Sequence, residues 1–577
     1  MPLKVKVIAQ YHPAAALHQP RLWATLLEDW EHLPVQVPYS YRLSAQLPLD
    51  EDFTLDVEND PQGNIGEWSM AYRNAKGELI VNPFYGPRKA LVFPETSCAV
   101  MHNAKYDTRI LAKNGMQVPK NIHDTMLAGY CLGFGKQAPA DSAKTKSGAN
   151  MVGGLGLKYL ARRHLGIPML TWEDVKDHPE LKAEYNAMDS VATYLLWERW
   201  KPQLPKHYWT IDMPLLPVLM RMEDRGIQID PDFLSKFAAS LDEEISKIHL
   251  PFRPFAVKEI REYVYGTLGI KPWKYPDGGE PSTEAEVLET IDDPTVKELL
   301  RYKSLYYEKN TASKGYMSAV DAEGRIHTEL KQTSTSTGRL SSANPNLQNV
   351  VKDSDMRKLF IASEGSLLVR MDYSQLELRF IAAISQDPVM LKAFEDGEDI
   401  HQATADALGI SRYDAKTNNF LTIYGGTPWK IAAEFHISLD AAKQFQARYF
   451  EKFPGIKRYM DEQRVRAHTE KKVTNYFGRT RRLDAMFAQD WRVIQEGERE
   501  SINTPIQGGA GEVVKLGMIE LDKRGARMLL MIHDEILFEV PKKEAKDYAH
   551  WLKVFVPTIT QVNDMNFPVS VGFGGTW

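Results

Sequence analysis

Two groups of acidic residues stand where carboxylates can do metal chemistry. Leu367–Met371 is apolar apart from Arg370 and predicts a buried strand that ends on Asp372, while Gln375–Ala383 predicts a helix. Asp372 therefore sits at a strand-to-helix junction, where its carboxylate and a nearby carbonyl, at Tyr373, can reach a metal. Further on, Met528–Ile532 and Ile536–Val540 predict two short strands separated by His533-Asp534-Glu535, a hairpin with two acids at its tip. A tight turn favours Gly, Asn or Asp, so Glu535 is an unusual choice there. The bland alternative is a solvated acidic turn. The second group is Asp56 and Glu58, on one face of a predicted strand Phe53–Glu58, with Asp107 and Asp189. Tyr185 precedes Asp189 by four residues, which puts both on one helix face. Carboxylates in such places clamp two divalent ions about 3.5–4 Å apart, the arrangement used for in-line phosphoryl transfer. Two such sites in one chain point to one activity that builds a polymer and another that trims it.

Between the acids of the first group, Arg412, Lys416, Phe420 and Tyr424 recur every four residues. A helix turns about 100° per residue, so each step drifts only about 40° and all four share one broad face over about 18 Å. Two cations suit a triphosphate, and two aromatics suit a base or sugar by stacking. Gly425-Gly426 should end that helix. Arg499, Asn503 and Gln507 form a second ladder, on a helix that Pro505 should kink. Guanidinium and amide groups on one face suit the minor groove, whose acceptors are shared by all base pairs.

The elements that must position these residues belong to more than one domain, since 577 residues exceed what one core supports. No apolar run is long enough to span a bilayer, and no secretory signal opens the chain. Cys98 and Cys131 are the only cysteines, too few for a disulfide framework or a Cys-based zinc site, and a reducing, cytoplasmic setting is expected. A net charge of −5 argues against a simple nucleic-acid coat. The basic clusters Arg479-Thr-Arg-Arg482, Lys471-Lys472 and Arg162-Arg-His164 read as solvated faces unless other motifs recruit them. Gly135–Asn150 is poor in large apolar residues and reads as a loop, as does 271–281; Ile211–Arg225 and Pro294–Lys309 read as helices.

In combination these motifs resemble the family A DNA polymerases, over nearly all of residues 50–577. The resemblance implies an α/β and α+β multidomain chain: a ribonuclease H-like 3′–5′ exonuclease of the DEDDy type, then a right hand of palm, fingers and thumb. The expected divisions are an N-terminal segment 1–45, exonuclease 46–205, thumb 206–330, palm 331–400, fingers 401–484 and palm 485–577. By resemblance, Asp372 and Asp534 hold the metals, with Tyr373 beside them; Glu535 is the adjacent acid and His533 the histidine before it. Arg412, Lys416, Phe420 and Tyr424 form the nucleotide-binding face, with His401 a further triphosphate contact. Glu377 fits a steric gate against a ribose 2′-hydroxyl, and Phe420 a position where Phe disfavours dideoxynucleotides. Leu421 departs from the Gly found in many members; Leu is the better helix former by up to about 1 kcal/mol, which bears on fidelity. Arg339, Asn346, Gln348 and Asn349 resemble primer–template contacts, and Arg499, Asn503 and Gln507 template-side and minor-groove contacts. Asp56, Glu58, Asp107 and Asp189 complete the trimming site, where Tyr185 would orient the attacking water.

The implied cofactor is Mg²⁺, two per active site, with Mn²⁺ able to substitute. The implied partners are primer–template DNA and dNTPs, with no membrane, a monomeric state, and any helicase or processivity factor not identifiable. No 5′-nuclease domain precedes the exonuclease and no large insertion occurs within 231–330. With the short connection from His401 to Arg412, these favour a phage-like replicative enzyme, acting in the host cytoplasm if phage-encoded; a repair or gap-filling role stays open. Val7–Leu17, with the amphipathic segment to about Leu33, resembles the C-terminal end of a family of uracil-DNA glycosylases. The other motifs of that family are absent, so His12 is not expected to do chemistry. A truncated fusion and an unrelated strand and helix are both compatible with this segment. The rivals are a single-subunit RNA polymerase or reverse transcriptase of related architecture, and a catalytically silent DNA-binding protein. Glu377 and the exonuclease acids argue against RNA synthesis, and the silent protein would require lost acids, none of which is missing.

Overall fold

The computed structural model describes residues 39–44, 52–134, 154–275, 279–350 and 354–577. The glycosylase-like segment, the Gly135–Asn150 stretch and part of the 271–281 loop lie outside these residues. Two mixed layers position the acids. The first is a six-stranded sheet in the order Tyr41–Leu43, Leu79–Tyr85, Ile65–Arg73, Phe53–Asn59, Cys98–Met101, Asn121–Asp124. Phe53–Asn59 is central, antiparallel to Ile65–Arg73 and parallel to Cys98–Met101. Its Phe53, Leu55 and Val57 enter the core, which leaves Asp56 and Glu58 on the opposite pleat. The helix Lys182–Trp200 packs across these strands. Its register is fixed by two buried hydroxyls: Thr54 donates to the Ser190 carbonyl at 2.9 Å and Ser69 to the Asn186 carbonyl at 2.9 Å. Tyr185 and Asp189 are thereby held beside the strand carrying Asp56.

The second layer is an antiparallel sheet in the order Met528–Ile532, Glu535–Pro541, Ser366–Tyr373, Val569–Gly574. Behind it run the helices Leu376–Ser385 and Trp491–Asp522, the latter 32 residues long and continuing through Pro505. The two helices approach closely because Gly509 has no side chain: a Cβ there would lie 2.0 Å from Phe380 Cζ. Gly509→Ala is expected to cost about 1–3 kcal/mol by overpacking, read as a lowered midpoint in urea unfolding; an unchanged midpoint would show that Phe380 moves freely aside. The helices Met213–Arg225 and Pro294–Asn310 fall where the periodicity placed them.

One expectation is overturned where the layers meet. Arg479, read as part of a solvated basic face, is 5% exposed. Its Nη2 lies 2.7 Å from Asp212 Oδ1 and its Nε 2.5 Å from Glu512 Oε1. Lys515 Nζ adds contacts at 3.7 Å to Asp212 and 3.5 Å to Glu512. His207 Nδ1, at 2.7 Å, and Cys131 Sγ, at 3.3 Å, also meet Asp212. Tyr130, next to Cys131, donates to the Thr335 carbonyl at 2.7 Å and so ties the first layer to the connection between the short strands Glu329–Lys331 and Ser341–Ala343. Cys131, His207 and Asp212 are metal-ligand types in mutual reach. Arg479 and Lys515 already neutralise Asp212, which makes this an ion network rather than a metal site. By contrast, Arg481 pairs with Glu500 and Arg482 with Asp484 at the more open edge.

Candidate active sites

The first site is a cleft of about 430 Å³ lined by Tyr307, Gln348, Asn349, Arg357, Asp372, His533, Asp534 and Glu535, among others. Asp372 is paired across the sheet with Glu535, and the Tyr373 amide donates to the Asp534 carbonyl at 3.3 Å. The two proposed metal carboxylates thus come from the end of one strand and from the turn beside it. The hairpin turn is His533-Asp534, because Ile532 already pairs with Glu535. His533 takes the left-handed conformation, with φ of 58°, so Glu535 has no unusual turn geometry to adopt and opens the strand instead. Burial, reinforced by Asp372, pushes the Asp534 acid up to about 6.

Glu535 is not placed like the other two acids. Its carboxylate accepts from the Trp577 indole and lies 3.3 Å from Arg357, whose guanidinium stacks 4.0 Å from the Trp577 ring centroid. Sequence reasoning missed Arg357 and Trp577 because neither stands in a motif. Gln348 is fixed by a 3.2 Å bond to the Met531 carbonyl and Asn349 by a 3.1 Å bond to the Tyr307 hydroxyl, while Asn346 accepts from the Gln348 amide at 2.9 Å. Arg339 pairs with Glu377, whose acid burial raises.

The helix Arg412–Ile423 starts on a Ser411 cap and stops where Gly425 takes a φ of 76°. Arg412 and Lys416 are exposed, while Phe420 and Tyr424 are half-buried with ring centroids 6.1 Å apart. Arg412 is held by Asp399 at 2.6 Å. His401 is buried, shares a 3.0 Å hydrogen bond with Asn419, and lies 6.0 Å from the Phe420 ring. The end of this helix abuts the second ladder: a Cβ on Gly425 would lie 3.4 Å from Arg499 Cγ. Arg499 is exposed, with Asn503 and Gln507 half-buried along the long helix.

In the second site, carboxylate oxygens of Asp56, Glu58 and Asp189 lie within 4.8 Å of one another. Asp107 joins through the Val57 amide, which donates to its Oδ1 at 3.2 Å, and its Oδ2 is buried without a hydrogen-bond partner. Burial, then mutual repulsion, raises Asp56, and takes Glu58 up to about 7. Burial raises Asp189 to about 6 although Lys158 opposes it, and Tyr185 is pushed well up by burial and by Asp189. An oxygen-only cluster in which Asp107 and Asp189 are buried, Asp56 and Glu58 half-buried, and one carboxylate oxygen orphaned fits a hard divalent cation. Lys158, which ion-pairs with Asp189, escaped sequence reasoning because a lone lysine carries no pattern.

The chain thus carries two acidic sites, one on a four-stranded antiparallel sheet and the other on a separate six-stranded sheet. The chain belongs to DNA polymerase family A, whose profile matches residues 232–577. A 3′–5′ exonuclease profile matches residues 69–205, beginning after Asp56 and Glu58. Among curated relatives, DNA polymerase I of Rhizobium leguminosarum is 32% identical over 79% of this chain and 48% of its own length. DNA polymerase I of Chloroflexus aurantiacus is 33% identical over 82% of this chain and 54% of its own. The thermostable DNA polymerase I of Thermus aquaticus is 33% identical over 64% of this chain and 48% of its own. The chain thus spans about half the length of the curated relatives it matches. The fold is shared with the polymerase domain of Pol1 from M. smegmatis, solved with DNA primer-template and dNTP (TM-score 0.78, 24% identity, 91% of this chain and 96% of that one). Among the described residues no helix is long and apolar enough to cross a membrane.

Proposed function

We propose that this chain is a DNA-directed DNA polymerase that uses dNTPs by two-metal phosphoryl transfer, with a 3′–5′ exonuclease that proofreads its product. The observation that carries the reading is the placing of Asp372 and Asp534 in one cleft with Gln348 and Asn349. Mg²⁺, with Mn²⁺ as substitute, would be held by Asp372, Asp534 and the Tyr373 carbonyl, and separately by Asp56, Glu58, Asp107 and Asp189. When bound, such ions lower the pKa of the primer 3′-hydroxyl and stabilise the leaving pyrophosphate.

The chain's own residues supply the rest. Arg412 and Lys416 offset triphosphate charge from the exposed end of their helix. Phe420 and Tyr424 offer a stacking surface for the incoming base. Glu377, steadied by Arg339, crowds a ribose 2′-hydroxyl. Arg499, Asn503 and Gln507 face the template side and the minor groove. In the trimming site Tyr185 orients the attacking water. Lys416 gives a proton to the pyrophosphate, so Lys416→Ala is expected to lower single-turnover incorporation by about a hundredfold or more. An unchanged rate would dismiss the role.

The divisions at residues 45, 205, 330, 400 and 484 remain our proposal for the domain limits. A phage-like replicative role draws on the short His401–Arg412 connection, whereas the relatives named above are bacterial; a processivity assay separates replication from gap filling. A monomer working in a reducing cytoplasm completes the proposal, consistent with the unpaired Cys98 and Cys131. The deciding experiment is a labelled primer–template with Mg²⁺, with and without the four dNTPs. Extension with dNTPs and shortening without them is expected. Shortening alone would make the chain a nuclease; NTP use on a DNA template would favour the RNA polymerase, and dNTP use on an RNA template the reverse transcriptase.

A further inference from the structure

The trimming site contains a cation of its own. Lys158 rises from the helix Leu157–Leu165, pairs with Asp189, and places its Nζ 3.9 Å from the centroid of the Tyr185 ring. It therefore touches the fourth acid and the water-orienting tyrosine together. The acids need it: carboxylate oxygens of Asp56, Glu58 and Asp189 within 4.8 Å of one another repel strongly unless a positive charge sits among them. Lys105 is held differently: its Nζ meets Glu223 at 2.7 Å and the Leu330 carbonyl at 2.6 Å. Lys158 instead spends its charge on a residue that the metal-site reading reserves for a divalent ion. Its side chain is 27% exposed against 7% for Asp189, so a route to solvent is open to it.

We propose that Lys158 is a resident counter-ion of the trimming site: a positioning residue that holds Asp189 and Tyr185 while no divalent ion is bound, and that the entering ion displaces toward solvent. An ammonium and a divalent cation cannot both lie against Asp189 without repulsion, so the two compete for it. The tethered cation keeps the acids from splaying in the metal-free state and makes metal entry an exchange rather than a simple addition. This inference rests on reading Asp56, Glu58, Asp107 and Asp189 as metal ligands.

The test uses Mn²⁺ binding rather than nuclease activity. Full-length chain carrying Asp372→Asn and Asp534→Asn confines the titration to the trimming site. In that background Lys158→Met, which keeps the apolar stem and removes the charge, is expected to bind Mn²⁺ about tenfold tighter or more, because a like charge no longer stands beside the ion. Lys158→Arg should keep the parent affinity. The metal-free Tm of Lys158→Met should fall, and the rise in Tm at one fixed Mn²⁺ concentration should be larger in Lys158→Met than in the parent, a difference that a lysine serving only the fold would not give. In the unsubstituted chain, acylation of Lys158 by an amine-reactive reagent, followed by peptide mass spectrometry, should speed up when Mn²⁺ is added. Unchanged or weaker Mn²⁺ affinity in Lys158→Met, or unchanged acylation with Mn²⁺ bound, overturns the counter-ion. No Mn²⁺ bound by any form overturns the metal-site reading beneath it.

Discussion

Asp534→Asn is expected to lower single-turnover dNTP incorporation by about a thousandfold or more, while 3′ shortening of single-stranded DNA continues at its former rate. A thousandfold is about 4 kcal/mol of transition-state stabilisation, a fair share for one of two carboxylates holding the reacting centre. Asparagine keeps the shape of the His533-Asp534 turn, so the strands on either side should survive. What is lost is the charge that burial and Asp372 make costly to keep without a cation. Asp56→Ala should give the mirror image, with extension intact and shortening abolished. The two acidic sites lie on separate sheets, which is why the losses should not cross over. Asp534→Asn retaining more than about a tenth of the parent rate would remove the two-carboxylate reading of the cleft, since it leaves under 1.4 kcal/mol to explain.

Asp212→Ala is expected to be the most damaging substitution for stability, at about 3–5 kcal/mol, because it leaves Arg479 and Lys515 buried with only Glu512 to balance them. Burial alone would raise the Asp212 acid, but Arg479 and Lys515 outweigh it and hold the carboxyl far below its ordinary range. The sign follows from that depression. A carboxyl whose folded-state pKa lies below its unfolded value contributes stability that is fully present at neutral pH. That contribution drains away as the pH falls below the ordinary carboxylate range toward the folded-state value. Urea unfolding at pH 7 should show the loss, and the Asp212→Ala chain should have a shallower acid limb than its parent. Pairing Asp212→Leu with Arg479→Met should recover part of the loss, because removing both charges avoids the unpaired one. A loss below about 1 kcal/mol in the single variant would mean that water reaches the network and screens it.

The placement of the candidate site residues was legible wherever it depends on near neighbours in sequence. Asp372 announces itself by ending an apolar run, and Asp534 by interrupting two. Arg412 to Tyr424 share a face because a helix repeats every 3.6 residues, and Gly425 ends that helix as its freedom at positive φ requires. Arg479 was misread because its partners lie elsewhere in the chain: Asp212 is 267 residues away and Glu512 is 33. A run of arginines looks the same in sequence whether it faces water or a buried carboxylate. Glu535 was placed in a turn because its neighbours are turn residues; that His533 would absorb the left-handed bend depends on how the two strands pair. Lys158 and Arg357 had no signal at all, since each is a single cation whose meaning comes from acids on other elements.

The helix Trp491–Asp522 can also be viewed as a mechanical part. Arg499, near one end, is exposed beside Gly425, and Lys515, about 24 Å along the axis, sits in the buried network with Asp212, Arg479 and Glu512. A beam held at Lys515 swings as a whole: a tilt of about 5° about that point moves the Arg499 end by about 2 Å. The span is weakened at Pro505, which lacks an amide hydrogen, and at Gly508, Gly509 and Gly511 just beyond it. On the proposed reading of Arg499 as a DNA contact, a load placed there is either absorbed as bending along the span or delivered to the buried network at Lys515.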